Sequence, residues 1–311
     1  MPSRSPASSR GRSTPAPCTR RPARRSSALR EGAPACYNVE VQDLVELARG
    51  RRVVALTGAG CSTESGIPDY RGPTAKPRAP MQHREFVDRA DMRRRYWARS
   101  LLGWPRIAGA QPNAGHVALA DLERRGVLAG IITQNVDSLH HKAGSHQIVE
   151  LHGSLARVRC LACGDMTSRD QLQRRLLDAN PTWRVAEVPI APDGDAELGV
   201  VVDESRLEDF QVVACTACGG VLMPDVVFFG GSVPKSTLDA AWALFDQAEL
   251  LLVAGSSLTV FSGYRFVRRA AERAIPVAIV NLGPTRGDPH AQLRIDERCG
   301  IALPELARAL A

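Results

Sequence analysis

Four apolar runs frame this chain. Val53-Val54-Ala55-Leu56-Thr57 is short and continuous rather than alternating, the pattern of a strand buried on both faces of a parallel sheet. Val127 to Thr133, Glu249 to Gly255 and Pro276 to Asn281 repeat it. Each run ends in glycine or polar residues, and ligands bind beyond the carboxyl ends of strands in open parallel sheets. Between the runs the period changes. Val41, Leu44, Val45, Leu47 and Ala48 recur at helical spacing, which predicts a helix over residues 39–49. Ala114 to Arg125 predicts another, with Asn113 as N-cap.

Two stretches break this alternation. Residues 72–112 mix Pro, Arg and aromatics with no strand pattern, and predict helices and loops arranged as a lid. Residues 157–222 carry short β-prone pieces, a loop-like middle and two Cys-x-x-Cys pairs, and read as a small metal module inserted into a larger domain. The chain then returns to the main sheet or its rim through Pro224-Asp225-Val226-Val227-Phe228-Phe229-Gly230. The expected organisation is a tail over 1–37, a Rossmann-like domain over 38–156 and 223–311, and the module over 157–222. The fold class is α/β, a doubly wound parallel sheet with an inserted zinc-binding module.

Composition changes this picture at one end only. The chain has 311 residues, 44% of them hydrophobic, enough for a substantial core. Its net charge of +7 suggests nucleic acid, but residues 1–30 hold eight Arg and no acid. Without them 32 bases face 33 acids, so the body is neutral and lacks a phosphate-tracking surface. The first 35 residues are rich in Arg, Ser, Pro and Ala and predict disorder. The same composition fits a mitochondrial transit peptide. However, the chain has only three Lys (Lys76, Lys142 and Lys235), a bias expected of a GC-rich bacterial genome. A bacterial cytoplasm is therefore expected ahead of a mitochondrion. No apolar run is long enough for a membrane span.

The first strand feeds Gly58-Ala59-Gly60-Cys61-Ser62-Thr63-Glu64-Ser65-Gly66-Ile67-Pro68-Asp69-Tyr70-Arg71. A glycine-rich turn after a strand brings backbone N–H groups to a pyrophosphate. The ordinary dinucleotide fingerprint has a third Gly where this chain has Thr63. Gly66 and Pro68 stop the segment from continuing as a helix, so it reads as a loop over a ligand. Cys160-Leu-Ala-Cys163 and Cys215-Thr-Ala-Cys218 supply four thiolates, which close a tetrahedral Zn²⁺ and leave no position for water. That zinc is structural, one per chain.

The long glycine string resembles the signature of the sirtuins, the NAD-consuming protein deacylases. Thr133-Gln134-Asn135-Val136-Asp137-Ser138-Leu139-His140, Glu150-Leu151-His152-Gly153 and Gly255-Ser256-Ser257-Leu258 resemble the same family, in the same order. The resemblance runs from about residue 40 to the C-terminus. Tyr96-Trp97-Ala98-Arg99, Gly103-Trp104-Pro105 and Gly283-Pro284-Thr285-Arg286 look like its class II branch.

The resemblance implies NAD as co-substrate and acylated lysine side chains of proteins as partners. It makes His152 the general base on the nicotinamide ribose, a role neutral imidazole can fill near pH 7. It has Asn135 orient the ribose and attacking water, Gln134 contact the same region, and Asp137 accept from the nicotinamide carboxamide. Gly58, Ala59, Gly60, Ser62, Ile67, Pro68, Asp69, Tyr70 and Arg71 would line the cofactor, with Ile67 to Arg71 as a gate. Gly255, Ser256 and Ser257 would take phosphate or ribose, Asn281, Leu282 and Gly283 the adenosine ribose, and the Cys299 backbone the adenine. Val226, Val227 and Phe228 would pair with the substrate peptide. Tyr96 and Arg99 resemble a pair that holds an acidic acyl group; packing of a helix is the competing reading. His140 and His141 are read as packing or surface residues. Cys61, where many members carry Ile or Ala, raises the idea of an oxidisable thiol beside the diphosphate loop.

The implied reaction passes the acyl group to ribose, releasing nicotinamide, lysine and O-acyl-ADP-ribose. A protein mono-ADP-ribosyltransferase on the same NAD site is the alternative. A zinc-ribbon nucleic-acid binder is disfavoured by the neutral body, and a dehydrogenase by Thr63 and Asn281. A monomer is expected.

Overall fold

The computed structural model describes residues 39–71, 80–183, 188–196 and 204–310. The expected tail over 1–37 lies outside them. Six parallel strands form the main sheet: β1 (Val53–Thr57), β2 (Leu128–Thr133), β3 (Ile148–Glu150), β7 (Leu250–Ala254), β8 (Val277–Val280) and β9 (Leu293–Ile295). Their order is β3-β2-β1-β7-β8-β9, so the chain winds outward from β1, then restarts beside it at β7. This is the doubly wound topology expected, and its switch point lies between β1 and β7.

The continuous apolar runs have a direct cause. Alternate residues of each central strand enter opposite cores. Val53, Ala55, Leu250, Leu252 and Ala254 face one side with α1 (Val39–Ala48), α4 (Ala114–Arg124) and α9 (Cys299–Ala309). Val54, Leu56, Leu251 and Val253 face the other with α7 (Lys235–Phe245) and α8 (Phe261–Glu272). Asn113 caps α4 as expected, its side chain accepting from the Gly115 and His116 N–H groups.

The Cys-rich stretch forms a three-stranded antiparallel sheet of β4 (Gly153–Cys160), β5 (Met166–Ser168) and β6 (Leu222–Val226), in the order β5-β4-β6. Its helix is α6 (Arg169–Ala179), started by a Ser168 capping box. The short α5 (Leu139–Lys142) follows β2 in the main domain. The stretch expected as a lid contains α2 (His83–Asp88) and the 20-residue α3 (Ala90–Gly109). A segment of the Cys-rich region, 188–196, lies against α3. A Cβ on Gly103 would come 2.0 Å from the Gly194 carbonyl oxygen, so the approach requires glycine there. One aromatic core with Tyr96, Trp97, Leu172, Trp183, Phe210 and Phe228 joins α3 to the Cys-rich region.

Candidate active site

The loops after β1 and β7 meet at the switch point. Gly255 has φ of +63°, and a Cβ there would lie 2.2 Å from the Cys61 nitrogen. Gly60 N–H donates to the Gly255 carbonyl at 2.8 Å, and Gly58 N–H to that of Ala254 at 3.1 Å. Two short 3₁₀ turns, Ala59–Cys61 and Thr63–Ser65, follow, and Gly66 (φ 82°) ends the second. No α-helix grows from this loop, as Gly66 and Pro68 led one to expect.

A cleft of about 810 Å³ opens above this junction. Its wall includes Gly58, Ala59, Gly60, Ser62, Ile67, Asp69, Tyr70, Arg71, Gln134, Asn135, Asp137, His152, Gly255, Ser256, Ser257, Asn281, Leu282 and Gly283. Val226, Val227, Phe228 and Tyr96 line it too. Three expected residues are off the wall: Pro68, Cys299 and Arg99.

The polar residues are held by one another. Asn135 donates through Nδ2 to the Gly58 carbonyl and to Ser62 Oγ, both at 3.0 Å. Ser62 donates to Asp137 Oδ2 at 2.7 Å, while Asp137 Oδ1 accepts from the Leu139 N–H at 2.9 Å. Ser256 donates to Gln134 Oε1 at 2.7 Å. Asn281 spends its amide on the carbonyls of Leu282 and Gly283, fixing the turn after β8. These hydrogen bonds aim backbone N–H groups, amides and one carboxylate into the cleft.

His152 follows β3 and is bracketed on both sides. Nδ1 lies 3.0 Å from the Gln134 carbonyl oxygen and Nε2 lies 2.7 Å from Ser262 Oγ. A carbonyl only accepts, so Nδ1 carries the proton and Nε2 the lone pair. Burial pushes the imidazole pKa below its usual value, opposed by the hydrogen bond to Gln134. The ring is therefore neutral at pH 7 and able to accept a proton at Nε2.

The Tyr96 end of the cleft differs from expectation. Tyr96 lies in the aromatic core, edge-on to Phe86, Trp97 and Phe228. Arg99 turns away. Its Nε donates to the Ala196 carbonyl at 3.0 Å, and its guanidinium lies 3.8 Å from buried Asp195. The pair is not brought together in the cleft, and the packing reading applies to both residues. Helical spacing put them one turn apart, but the 188–196 segment claims the Arg.

Sequence reasoning missed several wall residues. Pro192 and Asp193 reach the cleft from the Cys-rich region, and Ser262 and Arg265 from α8. No motif flagged them. The short spacing from Gly255-Ser256-Ser257 to Ser262 was the available clue, because the next helix starts at the same strand end.

Cys61 is corrected. Its thiol is fully buried, and its pKa is pushed well up by a hydrogen bond to the Cys299 thiol and by burial. An oxidant-sensing thiol needs exposure and a lowered pKa, and Cys61 has neither. Cys61, His116 and His140 each offer a ligand atom within 4.8 Å of the others. Both rings already serve the fold: His140 Nε2 bonds Thr57 Oγ1 at 2.9 Å, and His116 Nδ1 accepts the Asn113 N–H at 3.3 Å. His140 is the packing residue expected, and His141 is half exposed beside Glu150.

The four thiols of Cys160, Cys163, Cys215 and Cys218 also converge within 4.8 Å. Cys160 and Cys218 are 3.5 Å apart, Cys163 and Cys215 3.9 Å. Backbone N–H groups of Cys163 and Ala162 point at the Cys160 sulfur and bring its pKa down to about 6, while hydrogen bonds to the neighbouring thiols push Cys163 up to about 12. This donor set fits zinc, since thiolate is the form that binds it.

Comparison with known proteins agrees with this geometry. The Sir2 family model matches residues 58–262. The chain belongs to the Sir2 family. This sirtuin is 53% identical to NAD-dependent protein deacetylase 1 of Mycobacterium avium (strain 104), over 87% of this chain and 96% of the relative. It is 48% identical to the NAD-dependent protein lipoamidase sirtuin-4, mitochondrial, of Homo sapiens, over 85% of this chain and 84% of the relative. Among solved structures, the chain described as "Structural Basis for the Mechanism and Regulation of Sir2 Enzymes" has a TM-score of 0.68 and 28% identity, covering 87% of this chain and 97% of that one. Another, "Sir2-p53 peptide-NAD+", has a TM-score of 0.65 and 29% identity, covering 87% and 96%.

Proposed function

We propose that this sirtuin is an NAD-dependent protein-lysine deacylase in which His152 is the general base. The observation that carries the reading is the bracketed imidazole: neutral, with an unprotonated Nε2 on the cleft wall beside the glycine-loop cradle. The names of its relatives, NAD-dependent deacetylases and lipoamidases, support the reaction class.

NAD, as co-substrate, supplies the ribose carbon that takes the acyl oxygen as nicotinamide leaves. The residues of the chain do the rest. Gly58, Ala59, Gly60 and Ser256 present backbone and hydroxyl groups to the diphosphate. Asn281 to Gly283, on the cleft wall after β8, would meet the adenosine ribose. Asp137 offers an anionic acceptor suited to a carboxamide N–H₂, and Asn135 orients the ribose and water. His152 Nε2 accepts the proton of a ribose hydroxyl. Val226 to Phe228 leave β6 at the cleft edge and suit pairing with a peptide backbone. Ile67 to Arg71 form a polar flap that excludes water from the reacting carbon.

Residues 157–222 act as a zinc module whose metal is structural, inserted between the two halves of the NAD-binding domain. No helix among the described residues is long and apolar enough to cross a membrane. The bacterial relatives support a bacterial cytoplasm, with a mitochondrion as the alternative, and a monomer remains the expectation.

The test is nicotinamide release with acetyl-, lipoyl-, glutaryl-, succinyl- and hydroxymethylglutaryl-lysine peptides, read by mass spectrometry. O-acyl-ADP-ribose stoichiometric with nicotinamide is the expected result. ADP-ribosylated protein with no deacylated peptide would replace the reading with transferase activity.

A further inference from the structure

Ser262 has no place in the glycine-loop constellation, yet it makes the shortest hydrogen bond to the candidate base. It is the second residue of α8, it is 9% exposed, and it lies 110 positions from His152 in sequence. Its backbone is fixed by the helix start, and His152 is fixed from the other side by Gln134. Because Nδ1 must be the donor to the Gln134 carbonyl, Nε2 has no proton, and the 2.7 Å contact is Ser262 O–H donating to that nitrogen. The oxygen of Ser262 keeps its own lone pairs for a hydroxyl arriving in the cleft, whose wall it forms.

We propose that Ser262 is the positioning residue for His152: its hydroxyl fixes the ring with Nε2 on the cleft wall, yields the lone pair to a ribose hydroxyl, and turns to accept from Nε2–H once the ring has taken that proton. This rests on reading His152 as the base. The physical effect has a definite sign. A serine hydroxyl donates to the neutral ring and turns to accept from the protonated one, and the bond to the cation is the stronger, so removing it makes protonation harder. The other titratable or charged side chains on the cleft wall are Asp69, Arg71, Tyr96, Asp137, Asp193 and Arg265. None contributes to the shift of His152, which comes from burial and from Gln134.

The experiment measures pH profiles of deacylation for the full-length zinc-loaded enzyme, Ser262→Ala, Ser262→Thr and His152→Ala. KM for NAD, circular dichroism and zinc content are followed in parallel. In Ser262→Ala, the acid limb of kcat/KM moves down by about half to one pH unit, the weight of one hydrogen bond of about 1 kcal/mol. Its kcat at pH 7 falls about tenfold, while KM for NAD stays within about twofold. Ser262→Thr, which keeps the hydroxyl, restores both. An unmoved acid limb in a folded, zinc-loaded Ser262→Ala enzyme overturns the proposal, whatever happens to kcat. Full deacylation by His152→Ala overturns instead the reading of the base, and with it this role.

Discussion

The two ends of the cleft are built on different principles. At the NAD end, every wall loop follows a parallel strand, and the polar groups are hydrogen-bonded to one another in pairs such as Asn135–Ser62 and Ser256–Gln134. Backbone geometry and these paired hydrogen bonds do the positioning. At the acyl end, the wall comes from α3, from residues 188–196 and from the exit of β6, segments distant in sequence. They meet through aromatic packing around Tyr96 and Phe228. The first arrangement suits a ligand of fixed shape, the second a pocket whose chemistry changes with a few side chains.

Breaking the NAD end has the larger consequences. His152→Ala removes the candidate base bracketed by Gln134 and Ser262, and deacylation falls by a factor on the order of 10²–10⁴ in a coupled nicotinamide assay. Circular dichroism remains unchanged, since the ring makes only two hydrogen bonds. Chelation of zinc, or Cys160→Ser, strikes the module that supplies residues 188–196. Metal content drops to zero equivalents, the module unfolds by protease susceptibility, and turnover falls although no zinc ligand touches the cleft.

At the acyl end, Arg99→Ala sharpens the contrast. A carboxylate-binding Arg would lose most of its discrimination between glutaryl- and acetyl-lysine. Here that ratio changes by less than about threefold, and thermal stability falls by roughly 1 kcal/mol through the lost bond to Ala196.

The smallest effect concerns pH. The lowered pKa of His152 places the acid limb of kcat/KM below the ordinary histidine value of about 6.5. Stability carries a second signature. Burial holds His140 well below that value and His116 below it. The unfolded chain binds protons that the folded chain refuses, so stability is full above about pH 6.5 and declines as pH falls beneath it. Melting temperatures between pH 8 and pH 5 test this, and His140→Gln flattens the curve on its low-pH side.

The NAD end was legible in the sequence because each part is local. A buried strand, a glycine turn and an Asn-Val-Asp at the next strand end occupy consecutive residues, and the sheet topology brings these loops together. The zinc ligands were legible because two Cys-x-x-Cys pairs carry their chemistry in their spacing. Ser262 was not, since an ordinary serine at a helix start gains meaning only from a ring 2.7 Å away. The Tyr96 and Arg99 pairing misled because helical spacing brings two side chains near one another without saying which neighbour claims them. Asp195 and the Ala196 carbonyl took Arg99. Cys61 misled in the same way: its place beside a ligand loop said nothing of its burial under that loop.

The most direct test of the account is a paired assay of the parent enzyme and His152→Ala, with NAD and an acyl-lysine peptide, separating nicotinamide release from O-acyl-ADP-ribose formation. The account predicts both products in the parent and loss of the acylated product in a folded His152→Ala enzyme. Equal yields of O-acyl-ADP-ribose from the two proteins would contradict it.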